Sequence, residues 1–253
     1  MAMERTCGAL VLSAAATLPA GAQISPVLQE RSVGAAAQAF HVGGGRDQDQ
    51  ESEVAPDFGL FERSVTAAAF SASGAWALGV GSQTSALNAT QIQARMFASS
   101  TAQTGAMSAP AQADAESSLL FIFYLDAPTP IAFRATADLT LRGRNENGEP
   151  SDLFGWARVR LINAVTEEPF ALLNLTDNTP AADAAFDGTL AAGRYAILAS
   201  VRAFVYSPDL FGPPSGTGTV DAGVYFTLAT VPSPGVAAWV VCGGILVGRR
   251  RRG

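Results

Sequence analysis

Lysine is missing from this 253-residue chain, and all sixteen basic residues are arginine. That removes Schiff-base chemistry, the P-loop lysine and any lysine general base. Histidine is nearly missing too: His41 stands alone, so a histidine-rich metal site is excluded and a Ser-His-Asp device would depend on that one residue. The two cysteines, Cys7 and Cys242, lie close to the chain ends. Residues 23–230 therefore contain no thiol, and their fold rests on its core without disulfides. Charge is sparse at 15%, aromatics make up 8%, and no apolar run is long enough for several membrane spans. Against these shortages stand a 48% hydrophobic fraction and a mean hydropathy of +0.21, which exclude a uniformly disordered chain.

The two ends carry the most specific signals. Residues 1–22 combine Arg5, a short apolar stretch from Cys7 to Leu18, the breaker Pro19 and the small-residue triplet Ala20-Gly21-Ala22 before Gln23. This is the grammar of a secretory signal peptide, and the stretch is too short to span a membrane by itself. Cys7 precedes the apolar stretch instead of following it, which argues against a lipoprotein. At the other end the chain reads Val231-Pro232-Ser233-Pro234, then an apolar segment, then Arg249, Arg250, Arg251, Arg252 and Gly253. Residues 235–248 would form a helix of about 21 Å, short of the roughly 30 Å hydrocarbon core. Four arginines after an apolar segment act as a stop and hold that end on the cytoplasmic side.

A short proline motif, one apolar helix and a terminal arginine cluster, in that order, resemble the PEP-CTERM sorting tail of bacterial envelope proteins. The resemblance implies recognition near Pro232-Ser233-Pro234 by an exosortase, a membrane-embedded cysteine protease. It also implies transient residence in the cytoplasmic membrane through 236–247, with Arg249 to Arg252 as the anchor, and release of the body outward. Ser233 stands where the family motif has Glu. The resemblance covers residues 231–253 only and says nothing about the activity of the body. An ordinary tail anchor is the alternative.

Residues 23–230 hold 21 acidic residues and 11 arginines, a net charge of −10. Such a surface repels phosphate backbones, so nucleic acid is not an expected partner. The dominant local pattern has period two. From Phe133 to Arg142 the odd positions are Phe, Ala, Ala, Leu, Leu and the even ones Arg, Thr, Asp, Thr, Arg, which describes a strand with one face on a core. The same alternation places Ala222, Val224, Phe226 and Leu228 together, and Ile92, Ala94 and Met96 together. It also recurs in Arg158-Val-Arg-Leu161. Residues 119–125 and, but for Ser200 and Arg202, 195–206 are apolar runs and read as central strands with both faces largely covered. Weaker strands are expected at 60–70 and 75–80, and 27–40 fits either a strand or an Ala-rich helix.

With turn signals between the runs and no alternating helices, the expectation is an all-β, antiparallel, jelly-roll-like β-sandwich over 23–230. The signal peptide and a single C-terminal hydrophobic helix flank it. Residues 23–57 either pack on the sandwich or form an N-terminal arm. The segment Gly188-Thr-Leu-Ala-Ala-Gly-Arg-Tyr195 resembles a strand–turn–strand pattern of secreted β-sandwich modules, and supports the fold alone.

Candidate sites are few. Asp47, Asp49 and Glu51, with Glu53, alternate along an acidic stretch that could supply oxygen ligands to calcium. A solvated loop is the expected state, and no metal or cofactor is expected. A second acidic stretch, 145–149, contains Asn-Gly and reads as a hairpin turn. Asn88-Ala-Thr90 and Asn174-Leu-Thr176 match a glycosylation sequon. Trp76, Phe154, Trp156 and Tyr206 could form an exposed platform for sugar stacking, the alternative being burial in the core. His41 has no nucleophile or ligand in sequence reach, and no carboxylate pair shows a catalytic spacing, so no enzymatic activity is expected. The expected function is that of an exported cell-surface or extracellular-matrix protein of structural or adhesive type. The alternative is a carbohydrate-binding module that reads extracellular polysaccharide, with calcium as an accessory.

Overall fold

A computed structural model describes residues 23–105, 109–144, 152–176, 179–207 and 217–231. The signal-peptide segment, the 145–149 turn, Pro232 to Pro234 and Arg249 to Arg252 lie outside the described residues. The described chain forms twelve strands: β1 Ile24–Phe40, β2 Arg46–Val54, β3 Phe61–Phe70, β4 Trp76–Leu87, β5 Gln91–Gln103, β6 Ala111–Leu125, β7 Thr129–Arg144, β8 Asp152–Asn163, β9 Pro169–Leu175, β10 Thr179–Leu190, β11 Gly193–Ser207 and β12 Thr217–Thr230. They make two six-stranded antiparallel sheets packed as a sandwich. Sheet A has the order β2-β1-β6-β11-β8-β9 and sheet B the order β10-β7-β12-β5-β4-β3. A shift of six strands along the chain carries β1, β6, β9 and β11 onto the places of β7, β12, β3 and β5 in the other sheet, whereas β2 and β8 do not follow it.

Period-two burial runs through nearly every strand, as the sequence requires. Phe133, Ala135, Ala137 and Leu139 of β7 face the core, as do Ile92, Ala94 and Met96 of β5 and Ala222, Val224, Phe226 and Leu228 of β12. Residues 27–40 are strand: Val33, Ala35, Ala37 and Ala39 alternate into the core, and cross-strand burial outweighs the helical preference of alanine. The runs at 119–125 and 195–206 are β6 and β11, the two central strands of sheet A. Their outer faces are not sealed by any described segment, and Tyr124 is exposed there.

The core is graded along the strands. At one end Phe121 stacks on Phe123, Phe123 stacks on Tyr195 (both with centroids 5.8 Å apart), and Phe133 meets Phe226 at 6.1 Å. At the other end alanines predominate among the buried residues, with 35, 37, 39, 77, 111, 113, 115 and 203 all buried. There Gly79 and Gly81 of β4 face sheet A directly. A Cβ on Gly79 would stand 2.6 Å from the Asp114 carbonyl oxygen, and one on Gly81 would stand 2.7 Å from that of Gly34. Sheets held apart by large interdigitating side chains stand about 10 Å apart; at this end backbone packs on backbone.

A buried polar bridge crosses the core. Arg31 of β1 is 1% exposed. Its guanidinium donates to the Gln29 side chain at 2.8 Å, to the Gly59 carbonyl at 2.9 Å, to Ser85 Oγ at 3.1 Å and to the Asp57 carbonyl. Gln83 extends the chain of bonds from Ser85 Oγ to Ser117 of β6, each at 3.2 Å. Desolvation pulls the Arg31 pKa below its ordinary value, partly offset by the nearby Asp57 charge.

The two ends of the described chain meet one turn. The Ile24 N–H donates to the Ala89 carbonyl at 2.8 Å, and the Thr230 N–H donates to that of Thr90 at 3.0 Å. Asn88 shapes this turn by accepting from the N–H groups of Thr90 and Gln91.

Candidate functional site

Among the described residues a convergent surface feature lies on the outer face of sheet B. Strand alternation that sends Ala94, Met96, Val224 and Ala137 inward sends Arg95, Phe97, Tyr225, Thr136 and Asp138 outward. Pairing then sets them in two adjacent rows. One row is Asp138–Gly223–Phe97–Ser82, across β7, β12, β5 and β4; the other is Thr136–Tyr225–Arg95–Thr84. Gly223, lacking a side chain, leaves a hollow of about 670 Å³ between these groups. The Asp138 carboxylate leans over it, since a Cβ on Gly223 would fall 2.6 Å from Asp138 Oδ1.

Tyr225 and Phe97 are 46% and 38% exposed. Desolvation first, and repulsion from Asp221 second, raise the Asp138 pKa. Asp221 itself accepts a 2.6 Å hydrogen bond from Ser99. Among the described residues neither Arg95 nor Asp138 forms an ion pair. The hollow thus offers one cation, one carboxylate, hydroxyls and two aromatic flanks. A polyhydroxylated ring could bond through its hydroxyls and lay an apolar face on an aromatic ring there.

The anticipated platform of Trp76, Phe154, Trp156 and Tyr206 is divided between the sheets. Trp76 lies on the outer face of sheet B, opposite the exposed Phe70, with its indole N–H donated to Gln103 at 2.8 Å. Phe154, Trp156 and Tyr206 lie on the outer face of sheet A, where Phe154 is 50% exposed and meets Trp156 edge-on at 5.2 Å. Two guanidiniums already rest on the Trp156 ring, Arg158 at 4.9 Å and Arg202 at 5.4 Å from its centroid. Arg202 is held in turn by both oxygens of Asp114, at 3.0 and 2.6 Å.

Asp47, Asp49, Glu51 and Glu53 belong to a strand, not to a solvated loop. On β2 they sit opposite Ala39, Ala37, Ala35 and Val33 of β1, so they point to the core side of the sheet at its margin. Beyond that margin runs β3, the edge of sheet B. Asp47, Asp49 and Glu51 accept from the backbone N–H groups of Phe70, Ala68 and Thr66 at 3.0, 3.1 and 2.9 Å, and Glu53 pairs with Arg63 at 3.0 Å. The acidic row serves as a comb for an otherwise unpaired edge. Among the described residues no group of three or more potential metal-ligating side chains gathers.

His41 lies in the β1–β2 turn, where Nδ1 accepts from the Ala72 N–H at 3.4 Å, joining two neighbouring turns. Val231 is the one residue of the sorting motif within the described chain; it is exposed, and its N–H is bonded to Pro130 at 2.9 Å.

No protein-family model matches the sequence, and no curated protein does. Solved structures similar to the chain include those of the infectious bursal disease virus Gx and Gt strains, each 11% identical. The first covers 88% of this chain and 69% of the viral one, with a TM-score of 0.17; the second covers 91% and 73%, with a TM-score of 0.15. Overlaps this weak carry no argument about function.

Proposed function

We propose that the chain is an exported bacterial envelope or extracellular-matrix protein of structural or adhesive type, delivered by the signal peptide at 1–22. Its tail, Val231-Pro232-Ser233-Pro234 through Arg252, is then processed by an exosortase-like protease at the cytoplasmic membrane. The observation that carries this reading is the tripartite tail itself. The fold lends support in one respect: Ile24 and Thr230 are bonded to adjacent residues of one turn, so trimming outside both would leave every strand in place. Nested pairs, β4–β5 within β1–β6 and β8–β11 within β7–β12, support the jelly-roll-like description of the body.

The test is the intact mass of the protein from the envelope and from the culture medium of its host. A species starting at Gln23 and ending near Pro232 to Pro234 is expected. A membrane-bound species that keeps Arg249 to Arg252 would replace sorting with tail anchoring.

A second reading, carbohydrate binding, is favoured by the hollow over Gly223, where Tyr225 and Phe97 are exposed beside Arg95 and Asp138. An array of neutral glycans probed with the parent protein and the Tyr225→Ala variant tests it. A ligand captured by the parent and lost in the variant supports the reading, and capture that persists in the variant removes it.

A further inference from the structure

Arg158 and Arg160 occupy successive outward positions of β8, on the face of the sandwich opposite the Gly223 hollow. Two residues along a strand is about 7 Å, with both side chains on one side. Asn174 of β9 lies opposite Arg158 and Leu172 opposite Arg160, and together they line a groove of about 370 Å³. Both arginines are exposed, and Leu172 is exposed beside them.

Among the described residues neither member of this pair has a protein counter-ion, and the two stand side by side on one strand face. Arg63, Arg134 and Arg202 are each met by a carboxylate, from Glu53, Asp187 and Asp114. Among the described residues Arg158 and Arg160 form no ion pair, although residues 23–230 carry a net charge of −10. Two like charges at this spacing repel each other, and an anion placed between or along them relieves that repulsion. Arg158 is also fixed in direction by its contact with Trp156.

We propose that the Arg158–Arg160 groove binds a carboxylate-bearing polysaccharide strand of the uronate type, lying along β8. Guanidinium forks match carboxylates in a bidentate geometry. The Asn174 amide suits a sugar hydroxyl, and exposed Leu172 suits the apolar face of a pyranose ring. A single-stranded nucleic acid fits less well, because Trp156, the ring available for base stacking, already carries two guanidiniums. The proposal is independent of both the sorting tail and the Gly223 hollow.

The test is isothermal titration of the full-length protein, in mild detergent at low salt, with polygalacturonate and with neutral dextran. Polygalacturonate should bind, dextran should not, and added salt should weaken binding steeply. The double substitution Arg158→Gln and Arg160→Gln should weaken binding about tenfold or more, as expected for losing two charge-assisted contacts. Arg160→Gln alone, which disturbs no contact to Trp156, should account for part of that loss at an unchanged unfolding temperature. Tyr225→Ala should leave polygalacturonate binding intact, which separates this groove from the hollow on sheet B. The proposal is overturned by absent binding, by unchanged affinity in Arg160→Gln and the double variant, or by equal binding of dextran. Tighter binding of single-stranded DNA, or inorganic sulfate binding as strongly as the polymer, would overturn it too.

Discussion

The Asp49 carboxylate accepts a 3.1 Å hydrogen bond from the backbone N–H of Ala68, across a margin where the two sheets share no backbone ladder. Asp47 and Glu51 repeat the contact two residues either side, at Phe70 and Thr66. Unpaired N–H groups on an edge strand are a template for pairing with another chain, and inward-pointing charge is a recognised way to blunt such an edge. Here the charge does more than repel, because the carboxylates occupy the donors themselves. Among the described residues the opposite margin, β9 with β10, has no such comb.

Replacing Asp47, Asp49 and Glu51 together by alanine should therefore expose the β3 edge. The expected result is a loss of about 1–3 kcal/mol from three exposed hydrogen bonds, with a larger species on light scattering than the parent shows. The matched amide variant, Asp47→Asn, Asp49→Asn and Glu51→Gln, keeps an acceptor oxygen at each position and should keep the parent's size. If the alanine variant associates no more than the parent, the comb does not protect the edge.

Gly79 should tolerate no side chain. An alanine Cβ would meet the backbone oxygens of Asp114 and Ala36 at 2.6 and 3.1 Å, and neither can rotate away. Gly79→Ala should cost about 2–3 kcal/mol as the sheets separate, read as a lower midpoint in urea. Gly44→Ala offers a contrast of another kind. Its Cβ would meet nothing within 4 Å, but its φ of 98° disfavours any side chain, so its cost is local strain alone.

Much of this architecture could be read from the sequence because a half-buried strand writes its faces at period two. The same arithmetic that put Val224 and Met96 inward put Tyr225 and Arg95 outward. Their convergence with Asp138 is not legible, because it depends on β12 lying between β7 and β5, which pairs Gly223 with the distant Asp138 and the still more distant Phe97. The acidic stretch is a strand and not a loop for a different reason. Asp-Gln-Asp-Gln-Glu-Ser-Glu also alternates, but with carboxylates in the apolar slot, a pattern that makes sense only at a sheet margin with a neighbour short of acceptors. Trp76 and Trp156 do not share one platform because their strands join different sheets, which local sequence does not reveal.

Arg31 tests whether the polar bridge is structural. Truncating it leaves the carbonyls of Gly59 and Asp57 and the Ser85 hydroxyl without their shared donor. Arg31→Ala should cost about 3 kcal/mol, the scale for removing one partner of a buried charged network. Arg31→Met fills the volume against Phe61 but restores no donor. If methionine recovers most of the loss, packing outweighs hydrogen bonding at this site. If it recovers little, the guanidinium is what holds residues 55–60 to β1 and β4.

Asp138 makes stability depend on pH in a direction opposite to that of a salt-bridged carboxylate. Burial and the charge of Asp221 raise its pKa above the ordinary 3.8, so the folded state holds the proton more tightly than the unfolded chain. Its contribution is fully present below the ordinary value and is lost as pH rises through the raised one. Asp138→Asn removes the charge while keeping a similar shape over Gly223. The variant should be more stable than the parent at neutral pH by a few tenths of a kcal/mol, about the scale for partly exposed charges. The two should converge in acid, where the parent carboxyl is protonated. A stability gap that persists unchanged in acid would show that the amide acts through hydrogen bonding and not through relief of charge. If the hollow binds a sugar through this carboxylate, the same substitution should weaken binding while it stabilises the fold, a divergence that a purely structural role for Asp138 would not produce.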